Sequence, residues 1–313
     1  MGLIQLDFAP PSVSVCLLTC NRAAVLPRSL DSLLAQTYSD FELLINDDCS
    51  TDETERVGRA YEKKDPRVKY HRNETNLKYS GNSNAAVRRA RGRYIAIVHD
   101  GDVYAPEMLQ CWVQALDAVP SAAFVFNGYE VMADDGTVVR TIVDEFPAQI
   151  PGAALLDQML LRFDSPIWGI VMVRASCLNE VGPFDNAFPR LTDVDMWMRL
   201  LARYDAAYVA RPLVRIMGRE AGHENSDCNW AILRQTEEIR RTNIYRRFHS
   251  KPEKLAFYMK RFRRDRLRLY LRSLAWCVYH RRVDRIRQGR DVFASSESVA
   301  FRLIGWLLWP FFK

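Results

Sequence analysis

Residues 13–47 read VSVCLLTCNRAAVLPRSLDSLLAQTYSDFELLIND, and this stretch decides the fold. Residues 13–19 form an apolar run rich in β-branched side chains, which predicts a buried strand. Residues 23–37 carry leucines at helical spacing, and residues 41–47 are again mostly apolar. A strand, a helix and a second strand in this order predict a crossover between two parallel neighbours in one sheet.

The same alternation continues outward to residue 100. We predict a helix over 50–64, which begins with Ser, Thr and Asp, then a strand over 68–73, a helix over 80–91 and a strand over 94–100. Repeated crossovers of this kind predict an α/β fold with a mostly parallel, doubly wound sheet. Ligands of such sheets bind beyond the carboxyl ends of the strands.

Polar side chains follow three of the predicted strands at the point where each strand ends. They are Thr19, Asn21 and Arg22 at the first strand, Asp47 and Asp48 at the second, and Asp100 and Asp102 at the fourth. Any one of these groups fits ordinary turn and helix-cap chemistry. Three groups on one edge of a sheet indicate a ligand-binding cleft. Asp100 and Asp102 also predict a cation nearby, because two carboxylates this close repel each other.

The section from 120 to 215 is less regular. Residues 122–139 read as two strands joined at the sequence ADDG, which is a hairpin signal. Residues 165–185 contain a further strand and a short helix, and residues 191–204 predict a helix with an acidic first turn. Residues 206–217 return to a strand pattern.

The bulk composition predicts a packed globular protein, with 313 residues, 48% hydrophobic residues and a net charge of +6. The charge is uneven, since residues 231–313 hold 21 Lys and Arg against 7 Asp and Glu. Seven cysteines without a CxxC pair predict reduced thiols and no zinc site. With no signal-peptide pattern at the start and no apolar run of spanning length, we expect a cytoplasmic protein.

Three segments carry a resemblance to a known family. They are residues 13–54, NLKYSGNSNAAVRRARGRYIAIVHDGDV at 76–103, and VGPFDNAFPRLTDVDMWMRL at 181–200. In this order and spacing they resemble the family 2 glycosyltransferases, over about residues 12–220. The resemblance implies a GT-A fold and an enzyme that uses a nucleotide-diphospho-sugar and inverts the anomeric centre. It leads us to expect a GT-A domain over 1–225 and a separate basic, helical region over 226–313.

The resemblance also implies a donor site with a divalent metal ion. Asp100 and Asp102 correspond to the DxD carboxylates of the family, which implies Mn²⁺ or Mg²⁺ there, with Asp100 also placed to contact the ribose. His223 stands where some relatives have a histidine near the metal and diphosphate. The other implied donor contacts are Thr19, Asn21, Arg22, Asp47, Asp48, Asn76 and Asn84. The implied donor is a sugar nucleotide of the UDP, GDP or dTDP type.

The segment TDVDMWMRL at 192–200 resembles the helix start that carries the general base in this family. The resemblance implies that Asp193 deprotonates the acceptor hydroxyl, with Asp195 as a second candidate. An acidic first turn that complements the helix dipole explains both carboxylates, but not the Trp and Arg that follow them. Trp168 fits either an acceptor pocket or the core.

The chain departs from the family pattern at His99, Gly101, Lys78, Ser83 and Thr192, where the family commonly has Asp, Asp, Gly, Arg and Glu. Two other functions therefore stay open. One is a GT-A-like binding or scaffold protein without activity. The other is a sugar nucleotidyltransferase, which needs a glycine-rich loop after the first strand that this sequence lacks. The expected acceptor is a hydroxyl of a polysaccharide, an O-antigen or a lipid-linked glycan.

The C-terminal region is predicted to be helical over 231–291 and strongly basic. One helix face gathers apolar side chains, namely Leu267, Tyr270, Leu271, Leu274, Cys277 and Val278. The last 13 residues, FRLIGWLLWPFFK, are apolar and aromatic with flanking cations. This pattern favours peripheral binding to an anionic membrane surface at the inner face of the cell membrane. A packed helical subdomain or a homo-oligomer interface stays open, whereas no recognised module supports nucleic-acid binding.

Overall fold

The computed structural model describes residues 10–133, 135–162, 165–167, 169–217, 229–279, 281–282 and 285–289. The strands are β1 (Val13–Thr19), β2 (Phe41–Asp47), β3 (Val68–Arg72), β4 (Tyr94–His99), β5 (Val103–Tyr104), β6 (Ala122–Met132), β7 (Val138–Ile142), β8 (Gln149–Ile150), β9 (Val171–Arg174) and β10 (Asp205–Met217). The helices are α1 (Leu26–Leu34), α2 (Thr54–Lys64), α3 (Lys78–Arg89), α4 (Met108–Ala118), α5 (Gly152–Leu161), α6 (Ala175–Val181), α7 (Thr192–Leu201), α8 (Trp230–Phe248) and α9 (Pro252–Tyr279).

The strands form one sheet in the order β3-β2-β1-β4-β9-β6-β10-β5, with β7 beside β6 and β8 beside β10. The pairs β3–β2, β2–β1, β1–β4 and β6–β10 are parallel. The predicted α/β class with a mostly parallel sheet is therefore confirmed. One strand differs from the simple doubly wound pattern, because β9 runs antiparallel to both β4 and β6 and joins the two parallel blocks.

The core explains the long apolar runs of the central strands. All seven residues of β1 and all seven of β2 are buried, because helices cover both faces of the parallel sheet. Leu26, Leu30 and Leu33 of α1 are fully buried against this sheet, at the spacing that the sequence predicts. The predicted hairpin is also confirmed: β6 and β7 pair antiparallel, with Gly136 at a φ of +84° in the connection.

The chain divides into two compact units, one made of Met1–Leu156 with Pro166–Gly218 and the other of Asp157–Ser165 with Arg219–Lys313. In the second unit, Trp230 packs on Tyr270 with ring centroids 5.8 Å apart, and Tyr270 donates a hydrogen bond of 2.9 Å to Glu237. These contacts join α8 to α9. Arg240 is buried and donates to the carbonyl oxygen of Leu160 at the end of α5.

The predicted apolar face of α9 is only partly correct. Tyr270, Leu274 and Cys277 are buried, whereas Leu271 and Val278 are 42% and 56% exposed. The reason is geometric, since a residue one position beyond a buried one is rotated by about 100° away from the seam. Among the described residues, no helix combines the length and the apolarity that crossing a bilayer requires.

Candidate active site

The ends of β1, β2 and β4 lie side by side because the three strands are parallel and in register. Thr19 is paired with Asp47, and Leu18 is paired with His99, so the polar residues that follow these strands share one edge of the sheet. The structure therefore brings together the first loop, the acidic pair after β2 and the Asp-Gly-Asp turn after β4. This edge is the candidate site.

The first loop is tied to the second by Asn21. This residue adopts a φ of +54°, which Asn tolerates better than most side chains. Its amide nitrogen donates to the Ser50 hydroxyl at 2.8 Å, and its Oδ1 accepts from the Thr51 amide at 2.7 Å. The Arg22 amide donates to the Thr54 hydroxyl at 3.1 Å. Asn21 thus fixes the loop that places Arg22 beside the turn after β4.

The two carboxylates after β2 have different surroundings. Asp47 is fully buried and accepts from the Ser50 amide at 3.0 Å and from the hydroxyls of Ser50 and Tyr70, so it stabilises its own turn. Burial and the Asp47 carboxylate raise the pKa of Tyr70. Asp48 uses Oδ1 for the Leu77 amide at 2.7 Å and for Asn73. Within the described residues, no hydrogen bond reaches Asp48 Oδ2, which leaves this oxygen available to a ligand.

Asn76 and Asn84 also differ in their exposure and in their hydrogen-bond partners. Asn76 is exposed at the cleft, where its Nδ2 lies 3.5 Å from the Cys20 sulfur and its Oδ1 accepts from the Lys78 amide. Asn84 instead clasps the backbone of Phe184, to which it donates at 3.0 Å and from which it accepts at 2.8 Å. Its amide is thereby engaged in holding α3 to the segment before α7.

The Asp-Gly-Asp turn is docked on α1. The Ser29 hydroxyl accepts from the Gly101 amide and donates to the Asp102 carbonyl, both at 2.8 Å. Gly101 has a φ of +85°, a conformation that favours glycine. Arg22 Nε lies 3.3 Å from Asp100 Oδ1, so a guanidinium is one cation beside this pair. Burial raises the pKa of Asp100, while hydrogen bonding and the charge of Arg22 oppose the shift.

The donor set fits a divalent metal that also binds the ligand's own oxygens. Among the described residues, no group of three or more His, Cys, Asp and Glu side chains is arranged to hold a metal ion. Asp100 and Asp102 supply hard carboxylate oxygens, and Mg²⁺ is commonly held by one or two carboxylates together with substrate phosphates. A diphosphate would complete such a set. His223 lies outside the described residues.

Asp193 lies in the first turn of α7, close to the end of β4. Its Oδ1 is buried and has no hydrogen-bond partner among the described residues. Burial raises its pKa to about 6, although the backbone N–H groups of the helix start oppose this shift. A β-carbon placed on Gly169 would lie 2.7 Å from Asp193 Oδ2 and 3.2 Å from His99 Cε1. Asp193 and His99 therefore face the same point.

Two residues beside Asp193, Tyr79 and Gly169, were not predicted from the sequence. The Tyr79 hydroxyl lies 3.0 Å from His99 Nε2, and burial together with the Asp193 carboxylate raises the pKa of Tyr79. Gly169 leaves room for the carboxylate. Tyr79 directly follows the Asn76–Lys78 segment, and this proximity to a predicted contact is the one clue that the sequence offers.

Asp195 points in a different direction from Asp193. It is fully buried and pairs with Arg199, whose Nε lies 2.8 Å from Asp195 Oδ2. Arg199 also donates to the carbonyl oxygen of Val181 at 2.7 Å, which holds α7 against the end of α6. Trp197 is buried against Phe124, with ring centroids 5.6 Å apart. Trp168 lies outside the described residues.

A sheet of this topology, with carboxylates after β2 and β4 and an acidic helix start beside them, has the GT-A fold of nucleotide-sugar transferases. The family model for glycosyl transferase family 2 matches residues 14–172, which is half of the chain. The chain belongs to this family.

One relative is similar to this chain in sequence, and two solved structures share its fold. Glycosyl transferase WcaA of Escherichia coli, named for colanic acid biosynthesis, is 31% identical over 210 residues, which cover 66% of this chain and 72% of WcaA. TarS of S. aureus with UDP-GlcNAc superposes with a TM-score of 0.61 at 20% identity, over 80% of this chain and 72% of TarS. A Pyrobaculum calidifontis mannosyltransferase with GDP-Man and Mn²⁺ gives a TM-score of 0.53 at 15% identity, over 95% and 79% of the chains.

Several other relatives are longer proteins. The matched part of this chain spans a fifth of a relative from Sinorhizobium fredii and about a third of one from Rickettsia felis. These two relatives are 34% and 28% identical to this chain over the matched residues.

Proposed function

We propose that this chain is an inverting glycosyltransferase that moves a sugar from a nucleotide-diphospho-sugar to a hydroxyl of a polysaccharide or lipid-linked glycan. The observation that carries the proposal is the meeting of Asp193 and the end of β4 across Gly169. It supports a site where an acceptor base stands next to the turn that would hold the donor's diphosphate. The family assignment favours a transferase over a sugar nucleotidyltransferase.

The donor's nucleoside is proposed to lie along the ends of β1 and β2. Asp48 Oδ2 can accept from the base or the ribose, with the Asn21 loop and the exposed Asn76 around it. Buried Thr19 and Asp47 support this surface from below. The proposed donor is of the UDP, GDP or dTDP type; the similar TarS and mannosyltransferase structures hold UDP-GlcNAc and GDP-Man, which supports the first two types.

The diphosphate is proposed to lie at the Asp-Gly-Asp turn, where Asp100 and Asp102 would hold Mn²⁺ or Mg²⁺, with His223 as a possible further ligand. When bound, the metal neutralises charge that develops on the departing nucleoside diphosphate. Arg22 keeps Asp100 in place at 3.3 Å. The GDP-Man and Mn²⁺ of the Pyrobaculum mannosyltransferase are consistent with this role.

The chemical step is proposed to be a single displacement. The acceptor oxygen bonds to the anomeric carbon, the bond from that carbon to the diphosphate oxygen breaks, and the acceptor proton passes to Asp193. A carboxylate with a pKa of about 6 is a stronger base than an ordinary aspartate and is still ionised near neutral pH. The burial of Asp195 against Arg199 favours Asp193 over Asp195 as the base.

The acceptor and the location are proposed from the relatives and from the charge of the chain. WcaA is named for colanic acid biosynthesis, and a Bacillus subtilis relative, TuaG, for teichuronic acid biosynthesis. Both names support a growing polysaccharide as the acceptor. The basic C-terminal region supports a position at the inner face of the cell membrane, where anionic lipids attract cations.

The first experiment measures the melting temperature of the purified protein with UDP, GDP, dTDP and CDP, each with and without Mn²⁺. A ligand that binds only the folded state raises the melting temperature by mass action. We expect one nucleotide to raise it in a metal-dependent way, and the matching sugar nucleotides then to support transfer to a glycan. A folded protein that responds to none of them would overturn the proposal in favour of a scaffold.

A further inference from the structure

Arg28 brings a second guanidinium group to the Asp-Gly-Asp turn. It is the third residue of α1, and its Nη2 lies 3.7 Å from the position that a β-carbon of Gly101 would occupy. Arg22 Nη2 lies 3.2 Å from the same position. Two arginines from one loop and the helix that follows it therefore flank the glycine between the two carboxylates.

The two guanidinium groups differ in their partners. Arg22 pairs with Asp100 at 3.3 Å. No described residue forms a hydrogen bond or an ion pair with Arg28, and its Nε is closed off from solvent with no acceptor. Arg28 is half-buried as a whole, but an Nε–H group that is closed off from solvent without an acceptor costs free energy, so an anion at this guanidinium would be favoured.

Helix stability does not explain Arg28. The positive end of the helix dipole lies at the first turn, where carboxylates are favoured and cations are disfavoured. The first turn of α1 contains no acidic residue and carries this arginine instead. The helix is also fixed to the turn by Ser29, which bonds to Gly101 and Asp102, so Arg28 is held at the turn before any ligand arrives.

We propose that Arg28 binds the diphosphate of the donor and stabilises it as the leaving group. This inference rests on the proposed function and adds a residue to it. Since Asp100 is already paired with Arg22, Arg28 is the arginine of the two that is available to phosphate oxygens. A fixed guanidinium beside the point where negative charge develops stabilises the transition state without reorganisation.

The test compares the binding of uridine, UMP and UDP, and of guanosine, GMP and GDP, by calorimetry with Mn²⁺ and with chelator. The variants are Arg28→Ala, Arg28→Lys and, as a control, Arg56→Ala, an exposed α2 arginine that pairs with Glu53. In the wild type, affinity should rise from nucleoside to diphosphate. Arg28→Ala should reduce the diphosphate affinity about 10- to 100-fold and leave nucleoside affinity unchanged, because one charge-assisted contact is lost.

Each outcome separates the inference from the proposed function. Unchanged nucleoside binding by Arg28→Ala reports an intact fold, and partial recovery by Arg28→Lys supports a role of the charge. Diphosphate binding by Arg28→Ala equal to that of the wild type would overturn the inference alone. A wild type that binds none of these six compounds, and none of thymidine, dTMP and dTDP in the same assay, would overturn the proposed function and the inference together.

Discussion

At the scale of single residues, Asp193 is subject to two opposing influences. It sits in the first turn of a helix, where backbone N–H groups favour the carboxylate, and its Oδ1 is buried, which favours the carboxylic acid. Burial is the larger influence and raises the pKa to about 6. In the proposed role of Asp193 as a base, its strength would thus come from these surroundings.

Replacing Asp193 by Asn should abolish most of the transfer activity. The amide cannot accept the acceptor proton, and the loss of a general base typically costs about 100- to 10,000-fold in rate. Donor binding, measured by calorimetry, should stay within about twofold, since Asp193 is not proposed to contact the nucleotide. Asp117→Asn, on an exposed carboxylate that pairs with Arg93, serves as the control. Transfer by the Asp193→Asn enzyme at a tenth of the wild-type rate or more would exclude this base.

The transfer rate should also fall below pH 6. Protonation removes the base, so kcat/KM should drop about tenfold per pH unit on the acid side of the raised pKa of about 6. The measurement is a pH profile of initial rates at low acceptor concentration with saturating donor. A profile that stays flat down to about pH 5 would mean that a group with an ordinary carboxylate pKa, or none, accepts the proton.

The raised pKa of Asp193 also predicts that removing the charge of this carboxylate stabilises the folded protein. The folded protein holds the Asp193 proton more tightly than an unfolded chain does, so ionisation destabilises the fold above pH 6, and this cost vanishes below about pH 4. Asp193→Asn should therefore raise the melting temperature near pH 8 and leave it unchanged near pH 4. Equal melting temperatures of the two proteins at both pH values would contradict the buried, charged state.

At the scale of secondary-structure elements, the strand ends do not hold the candidate site in place by themselves. Helices α1 and α3 also hold it. Ser29 of α1 holds the Asp-Gly-Asp turn by two hydrogen bonds, and α3 brings Tyr79 to His99 while Asn84 clasps Phe184. The helices that connect the parallel strands therefore also position the turn and the side chains at the strand ends.

Ser29→Ala should destabilise the protein by about 1 to 3 kcal/mol, because the Gly101 amide would lose its acceptor in a buried position. Urea unfolding followed by circular dichroism measures this loss. Ser39→Ala, on an exposed serine of the next loop, should change stability by less than about 0.5 kcal/mol. Equal stability of the Ser29→Ala and wild-type proteins would mean that water replaces the hydroxyl at the turn.

Sequence periodicity predicts the elements well but not the contacts between them. The strands β1 to β4 agree with the predicted ranges to within one residue, because buried parallel strands leave long apolar runs. Helices α4 and α5 were not predicted, and neither were the two-residue strands β5 and β8, since two residues show no periodicity. The antiparallel direction of β9 was missed as well, because an apolar run is the same in either direction.

The candidate site shows the same difference between what the sequence pattern predicts and what depends on contacts between elements. The strand-end residues could be found from their place in the sequence, whereas Tyr79, Gly169 and Arg28 could not. Asn84 has the polar character of a ligand contact, yet its partner, Phe184, lies 100 positions along the chain. Whether an asparagine amide contacts a ligand or holds two segments of the chain together depends on the packing of α3. The sequence around Asn84 contains no pattern that indicates this packing.

At the scale of the whole molecule, the charge is divided along the chain. The last 83 residues hold 21 Lys and Arg against 7 Asp and Glu, whereas the first 230 hold 23 against 31, and α8 and α9 expose Tyr245, Phe257, Leu271, Val278 and Tyr279. Cations that stand beside exposed aromatic and aliphatic groups suit an anionic lipid surface, which attracts the charge and accepts the rings.

The protein should bind vesicles of phosphatidylcholine with phosphatidylglycerol, and salt should release it. The double variant Arg263→Glu and Arg268→Glu, on exposed α9 positions, should weaken binding at least about tenfold, since each charge near such a surface contributes about 1 kcal/mol. Arg56→Glu in the first unit is the control, and co-sedimentation is the measurement. Equal binding by the double variant and the wild type would favour a packed subdomain or an oligomer interface for this region.

The antiparallel strand β9 has a consequence for how the sheet holds together. It is the only bridge, within the described sheet, between the block that ends in the Asp-Gly-Asp turn and the block built on β6 and β10. Each parallel block therefore depends on the same short segment for its link to the other, and a substitution that breaks the pairing of Val171–Arg174 would loosen both blocks at once.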